Sequence, residues 1–316
     1  MSKKTLIYLV VYATLGLFFI AMALTGALSS NVMRYLVQIF LYISIGEVWN
    51  LLSGYAGMTS LGQQAFIGLA GYSVAMATTV YKLHFGLGIL IGVGISAIVA
   101  TVLAFLLLRM RGMYFSITTW VVAEALGTFF LSWGYVGKGA GMTMNITPYP
   151  RVDALYNMSL VICLVTLAVV YILLRSKIGL GLTAMRDNIS AAASLGVDIG
   201  RTRFLVYLVS AVITAVAGAI FCINKGTIYP DSGFSIGWTI SMVFICIIGG
   251  VGTIEGPVVG AIIYVLLQEF LAHYPGWSNI ILGIIAILII IYMPDGIVGT
   301  IKKKWIALNR KTEKAA

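Results

Sequence analysis

The sequence predicts an all-α protein, a transmembrane helical bundle of about ten membrane segments with both termini in the cytoplasm. Hydrophobic residues make up 60% of the 316 residues and charged residues only 9%, whereas soluble domains average about 45–50% and about 25%. Uncharged stretches recur at 5–33, 85–108, 154–174, 204–224 and 232–254. Since roughly 20 apolar residues cross the hydrocarbon core of a bilayer, these repeated stretches indicate a multi-pass membrane protein.

The membrane segments can be placed in order along the chain, some of them broken by Gly or Pro. The first follows Lys3 and Lys4 like a signal peptide, but its apolar run exceeds the usual 7–15 residues and is interpreted as an uncleaved span. Glycines crowd the third and eighth segments. The predicted limits are 6–28, 33–53, 63–81, 86–108, 113–133, 155–174, 203–223, 234–251, 256–272 and 277–293.

The distribution of positive charge predicts the orientation. With the N-terminus inside, 15 of the 20 Lys and Arg residues fall on the inner side, and 5 fall outside. An excess of Lys and Arg marks cytoplasmic loops, so both termini are predicted to be cytoplasmic. The five outside residues are Arg34, Lys82, Lys138, Arg151 and Lys225.

The chain is predicted to be a single transmembrane domain over 1–316, with a cytoplasmic loop at about 175–203 and a basic tail at 301–316. The net charge of +10 is explained by the inner loops, and we expect no nucleic-acid partner. The three cysteines lie alone in apolar runs and predict neither a metal site nor a disulfide framework. No soluble catalytic domain fits between the predicted spans, and GKGAG at 137–141 has the wrong order for a phosphate-binding loop, so we expect no enzyme activity.

Residues 50–68, NLLSGYAGMTSLGQQAFIG, break the apolar pattern. Irregular backbone at membrane depth persists only where protein buries it or where it lines a water-filled cavity, and transporters use such segments at their substrate sites. Small residues and amides also serve close helix packing, and that alternative stays open. The candidate path residues here are Asn50, Gly54, Gly57, Gln63 and Gln64.

A second glycine-rich segment, GGVGTIEGPVVGA, covers 249–261 and adds Gly252, Glu255 and Gly256 as candidate path residues. Interrupted segments in two halves of a chain point to a transporter site. The two segments are too different in sequence to indicate an internal repeat.

Carboxylates in or beside spans are functional candidates because they are costly there. Glu47 and Glu124 are the deepest by the predicted limits, and Glu124 joins the candidate path. A structural role for a neutral or paired carboxyl is the alternative. His84 and His273 fall at the outer ends of predicted spans, which weakens a proton-relay mechanism. A channel or ion-coupled carrier that acts without other subunits stays open as an alternative function.

The inside loop 175–203 reads RSKIGLGLTAMRDNISAAASLGVDIGRTR. Asp187 and Asn188 precede an alanine run, a pattern that predicts a helix start. The short helix either connects two spans or docks into a groove on a partner protein.

Five motifs occur in order and together resemble the permease subunits of branched-chain amino-acid ABC importers, over about residues 45–300. The motifs are NLLSGYAGMTSLGQQAFIGLAGY (50–72), RGMYFSITTW (111–120), SAAASLG (190–196), GGVGTIEGPVVGA (249–261) and MPDGIVG (293–299).

The resemblance implies a permease subunit in the bacterial or archaeal cytoplasmic membrane. Its implied partners are cytoplasmic ABC ATPase subunits, a second related permease subunit, an extracytoplasmic solute-binding protein and membrane lipid. ATP and Mg would bind to the ATPase subunits, and this chain would bind no cofactor and no metal. The implied solutes are branched-chain or other hydrophobic amino acids, with urea or another small amide as the alternative.

The resemblance also assigns a docking pattern, E-A-A-x-x-x-G, to the inside loop. Here it reads Ser190, Ala191, Ala192 and Gly196, with Ser190 in place of Glu. Charge for an ATPase contact could come instead from Arg186 and Asp187. The outside loop departs from the related T-G-G-x-x-G-L pattern and carries Lys138, which can alter the solute or binding protein accepted.

Overall fold

The computed structural model describes residues 29–110, 112–272 and 275–303. The predicted first span at 6–28, Arg111, His273 and most of the basic tail lie outside the described residues. The expected positions of the two termini therefore remain predictions.

The described residues are mainly helical, as predicted. A π-helical turn at Leu51–Tyr55 extends the first helix, and two-residue strands β1 (Met142–Thr143) and β2 (Thr227–Ile228) pair antiparallel. Residues 296–303 form a last helical segment. The helices are α1 (Ser30–Asn50), α2 (Gln64–Thr79), α3 (Phe85–Leu107), α4 (Met113–Ser132), α5 (Val152–Arg175), α6 (Lys177–Asp187), α7 (Ile189–Ser194), α8 (Ile199–Lys225), α9 (Pro230–Gly233), α10 (Gly237–Gly249), α11 (Glu255–Leu271) and α12 (Pro275–Tyr292).

Seven helical stretches of the described part are long and apolar enough to cross a membrane. The nine predicted spans that fall in this part each coincide with a helix. Helices α2 and α11, with 16 and 17 residues, are shorter than the roughly 20 residues of a full crossing. The polytopic helical bundle is confirmed, and the total of about ten segments stays a prediction.

Helices α1 and α8 form the centre of the bundle. Both are mostly buried, and they pack against each other. Around them, α2 packs on α3 and α8, while α5, α10 and α11 pack on α1. The contact of α2 and α8 is close because a Cβ on Gly218 would lie 2.7 Å from the Ile67 Cα, as expected where small residues let membrane helices approach.

The outer helices α3, α4 and α12 present apolar faces away from the protein. Leu90 and Phe105 of α3 and Ile291 of α12 are among the most exposed large side chains. In a membrane such residues contact lipid, which is as apolar as they are.

The connections between helices gather at two ends of the bundle. The Arg186 end is formed by 51–62, 176–198 and 250–254, and it also holds the contact between Glu255 and Lys302. The Lys225 end is formed by 79–84, 133–151 and 225–236 and includes the small sheet. This grouping agrees with the alternation of the predicted spans. The charge distribution predicts that the Arg186 end is the cytoplasmic one.

Candidate functional site

The two glycine-rich segments meet at the Arg186 end, and Asn50 joins them. The Asn50 side chain is fully buried at the last residue of α1. Its Nδ2 donates to the Thr253 carbonyl oxygen at 2.9 Å, and its Oδ1 accepts from the Gly252 N–H at 2.7 Å. One amide thus supplies a donor and an acceptor to the opposite backbone, which stabilises the contact because unpaired buried polar groups are costly.

Glycines allow the two backbones to approach this closely. A Cβ on Gly54 would lie 2.3 Å from Asn50 Oδ1 and 2.7 Å from the Gly252 nitrogen. A Cβ on Gly249 would lie 1.8 Å from the Gly256 carbonyl oxygen. In this conformation these glycines therefore serve close backbone packing, which the sequence left open as the alternative to lining a substrate path.

Arg186 ties the cytoplasmic loop to the same place. Its Nη1 donates to the Gly54 carbonyl oxygen at 2.9 Å, and its Nε lies 3.3 Å from Asp187 Oδ1. Gly57 adopts a left-handed φ of 65° and packs against the Arg186 backbone, because a Cβ there would lie 3.5 Å from the Arg186 Cα. The end of α6 is thus in direct contact with the π-helical turn Leu51–Tyr55.

Helix α7 begins where the Asp-Asn pair predicted a start. The Asn188 side chain accepts a hydrogen bond from the Ala191 N–H at 3.0 Å. Ala192 is buried, whereas Ser190, Ala191 and Gly196 are exposed.

Leu195 lies exposed on this loop but was not among the predicted docking residues. Its side chain is 80% exposed, although the residue stands in the quoted SAAASLG motif. A large apolar residue among small ones was the available signal.

The irregular chain between α1 and α2 is satisfied by side chains of neighbouring helices. Trp49 Nε1 donates to the Ser60 carbonyl oxygen at 2.9 Å. The Leu61 N–H donates to Thr119 Oγ1 at 3.1 Å. The segment therefore meets the requirement that non-helical backbone at membrane depth be enclosed by protein.

Gln63 and Gln64 are both fully buried where α2 begins. Gln63 Oε1 accepts from the Thr214 hydroxyl of α8 at 3.2 Å, and Gln64 Oε1 accepts from the Thr239 hydroxyl of α10. Within the described part of the chain, neither Nε2 has a hydrogen-bond partner. Each amide thus retains an unused donor inside the bundle.

The span carboxylates have different surroundings. Glu47 is fully buried, and neither of its oxygens has a hydrogen-bond partner among the described residues. Glu255 accepts from Lys302 Nζ at 2.7 Å on a partly exposed surface, and Glu269 accepts from the Tyr35 hydroxyl at 2.8 Å. Only Glu47 of these three is enclosed without a partner.

Glu124 lies apart from the Asn50 contact. It is exposed on α4 and lines a cleft of about 250 Å³ with Asp231 and Ser235. The structure therefore brings together Asn50, Gly54, Gly57, Gly252 and Gly256 near Arg186, while Glu124 belongs to the other half of the bundle.

A second cleft lies on the other side of Ser235, at the Lys225 end. Its volume is about 290 Å³, and we call it the Lys225 cleft; it is lined by Tyr42, Lys225, Ser232, Ser235, Gly237, Trp238, Ser241, Tyr264 and Gln268. No local sequence pattern indicates this cleft, because its lining residues come from separate helices. Across the described residues no cluster of three or more His, Cys, Asp or Glu residues could hold a metal ion.

Comparisons with known proteins identify the family to which this chain is similar. A profile of the family described as "Branched-chain amino acid transport system / permease component" matches residues 31–292. The high-affinity branched-chain amino acid transport system permease protein LivM of Salmonella typhimurium is 24% identical over 313 residues, which cover 90% of this chain and 73% of LivM.

Two further relatives extend the likeness. LivH, a permease protein of the high-affinity branched-chain amino acid transport system of Salmonella typhimurium, is 26% identical over 188 residues, 59% of either chain. The probable branched-chain amino acid transport permease protein LivM of Methanocaldococcus jannaschii is 23% identical over 314 residues, covering 82% of this chain and 90% of that protein. No solved structure matches the chain significantly.

Proposed function

The chain belongs to the family of permease components of branched-chain amino acid transport systems, and on that premise we propose that it forms part of the path for branched-chain or other hydrophobic amino acids across the cytoplasmic membrane. A separate ATPase drives the transport. The chain itself is not an enzyme and binds no cofactor, while ATP and Mg²⁺ bind to the ATPase subunits.

The hydrogen bond from Arg186 to Gly54 supports a mechanical link between the ATPase-docking loop and the candidate path. It joins the predicted docking loop to the glycine-rich pair through a single side chain. Gly54 in turn contacts Gly252 and Asn50. A displacement of the loop by an ATPase is therefore passed directly to the contact between the two interrupted segments.

The similarity to both LivM and LivH supports a heteromeric importer. We propose a second related permease subunit, cytoplasmic ATPase subunits and an extracytoplasmic solute-binding protein as partners. The Arg186 end, with Ser190, Ala191 and Gly196 exposed on its loop, faces the ATPases. The relatives are from a bacterium and an archaeon, which supports a bacterial or archaeal cytoplasmic membrane.

Reconstitution tests the proposal. The chain is purified with its associated subunits from its own membranes, placed in liposomes, and assayed for uptake of leucine, isoleucine, valine and urea with and without ATP. We expect amino-acid uptake that strictly requires ATP and the ATPase subunits. Uptake by the chain alone would establish the ion-coupled carrier or channel instead, and preferential urea uptake would correct the solute.

Leu195 provides the test of docking. Gly196→Trp would be strained by the positive φ of 83°, so a loss of uptake there would be ambiguous. Leu195→Asp removes an exposed apolar contact without disturbing the bundle, and we expect ATP-driven uptake to fall about ten-fold or more, as for an interface residue worth over 1 kcal/mol.

Ile301→Asp is the matched control for Leu195→Asp. Ile301 is 60% exposed at the same end but lies outside the loop, so uptake and ATPase co-purification should stay near wild type. Equal co-purification of ATPase with Leu195→Asp and wild type would remove α7 from the docking surface.

A further inference from the structure

We propose that the Lys225 cleft is a binding site for a free neutral amino acid, with Lys225 holding its carboxylate. The inference rests on the proposed function and deepens it by placing a solute-recognition site within the permease. The site lies at the end of the bundle that the charge distribution assigns to the extracytoplasmic side.

Lys225 supplies a cation without an acidic partner. It is the last residue of α8, it is exposed, and its Nζ lies 5.6 Å from the centroid of the Trp238 ring. No carboxylate of the described residues lies within salt-bridge distance of it. A contact with an aromatic face is weaker than a charge-assisted hydrogen bond to a carboxylate. Lys225 can therefore leave the Trp238 ring and bind the carboxylate of a ligand.

Aromatic rings form a rigid wall beside this charge. The Trp238 ring lies 4.9 Å from Phe221 and 6.3 Å from Tyr42 by ring centroids, and Tyr42 lies 5.0 Å from Tyr264. Tyr42, Phe221 and Tyr264 are buried, so the wall is already formed. The ring faces in this wall are fixed in shape and can pack against an aliphatic side chain, within a cleft whose exposed lining is mainly polar.

Polar atoms at the inner side of the cleft are suited to an ammonium group. Ser241 Oγ lies 2.6 Å from the Tyr264 hydroxyl, and Gln268 lines the same cleft. Ser235 also lines the cleft. These hydroxyl and amide oxygens can accept hydrogen bonds from an ammonium without carrying negative charge.

The size and charge of the clefts favour this ligand class. A volume of about 290 Å³ is at the lower limit of small-molecule sites, about 300 Å³, and fits an amino acid of the size of leucine. The neighbouring cleft beyond Ser235 carries Glu124 and Asp231, which repel a carboxylate. A zwitterion is therefore directed to place its carboxylate on the Lys225 side.

Equilibrium binding of radiolabelled leucine to the purified membrane complex, without its solute-binding protein, tests the site. For Lys225→Gln we expect affinity about ten-fold lower or more, as for the loss of a hydrogen-bonded charge. Lys225→Arg should retain most of the affinity. Lys82→Gln is the matched control, since Lys82 is an exposed lysine of the same end that lines a different cleft.

An analogue separates carboxylate recognition from a general disturbance. Isoamylamine has the apolar chain and the ammonium of leucine but no carboxylate. The wild type should bind it about ten-fold more weakly than leucine or worse, whereas Lys225→Gln should bind both with similar affinity. Loss of packing alone would weaken both ligands and leave their ratio unchanged.

Leucine binding and ATP-driven uptake are separate measurements, which test the site and the proposed function independently. Leucine binding that is unchanged in Lys225→Gln overturns the site while ATP-driven uptake still stands. Absence of uptake by the complete wild-type complex refutes the proposed function and is measured independently of binding. If Lys225→Gln alters only the binding of phosphatidylglycerol vesicles, Lys225 is a lipid contact and the inference is wrong.

Discussion

The two ends of the bundle use polar residues in opposite ways. At the Arg186 end, Asn50 and Arg186 reach backbone partners at 2.7–2.9 Å, and the cavity beside Gly57 and Arg203 measures about 10 Å³, room for about one water. At the Lys225 end, clefts of about 250, 290 and 400 Å³ expose charged and aromatic side chains.

The Arg186 end is the more tightly hydrogen-bonded of the two, and we call it the closed end. Most buried polar groups are paired, and the Arg186 end is held by specific hydrogen bonds, whereas exposed polar groups at the Lys225 end can bind water or a ligand. Helix α10 connects the two, because it begins beside Trp238 in the Lys225 cleft and ends at Gly249 in the glycine contact. Substitutions at the closed end should therefore have the larger structural effects.

Gly249→Ala should produce the largest effect, because it forces the closed end apart. The new Cβ would lie 1.8 Å from the Gly256 carbonyl oxygen, and a backbone atom cannot rotate away as a side chain can. We expect destabilisation of at least about 3 kcal/mol, the upper part of the overpacking range, measured as a lower apparent Tm and a lower monodisperse yield in size-exclusion chromatography.

Gly94→Ala is the control for this substitution. Gly94 is also helical, but nothing lies within 4 Å of a Cβ placed there, so the yield and Tm should equal or exceed those of the wild type. Equal Tm values for the two variants would contradict the close glycine contact.

Asn50→Ala should have an intermediate effect. It leaves the Gly252 N–H and the Thr253 carbonyl without their partner, a cost of about 1–3 kcal/mol for a buried group. We expect a lower Tm together with faster hydrogen exchange of 250–254. Asn145→Ala replaces an exposed asparagine at the Lys225 end and should change neither quantity. Unaltered hydrogen exchange in Asn50→Ala would show that the Asn50 hydrogen bonds do not hold residues 250–254 in place.

Glu47→Gln should have the smallest effect and tests the ion-coupled alternative. Glutamine has the same shape, and within the described residues neither Glu47 oxygen has a hydrogen bond to lose. We expect ATP-driven uptake near the wild-type rate. A loss of about 100-fold or more, the size expected for an essential proton-transferring group, with normal protein in the membrane would instead support a proton relay.

The sequence predicted the helices well because each membrane span requires a continuous apolar run of residues. The limits 86–108 and 155–174 agree with α3 and α5 to within a few residues. It also predicted the start of α7, where Asn188 is a local capping signal. The alternation of the predicted spans also assigned the loops to two opposite ends, as observed.

The sequence could not predict contacts between distant helices. The glycine-rich segments were expected to carry a function, but the hydrogen bonds of Asn50 to Gly252 and Thr253 span about 200 residues of sequence. Neither spacing nor composition shows which glycine faces which backbone. The Lys225 cleft was missed for the same reason, since Tyr42, Trp238 and Tyr264 become neighbours only after folding.

The shortness of α2 has a consequence for the surrounding bilayer. At 1.5 Å per residue its 16 residues span about 24 Å, less than the roughly 30 Å of hydrocarbon, yet 14 of them are buried and meet protein in place of acyl chains. The 23-residue α3 is one of the outer helices that contact lipid, and it measures about 34 Å. We therefore expect that lipid chain length affects this permease through its outer helices, while α2 is insulated from membrane thickness.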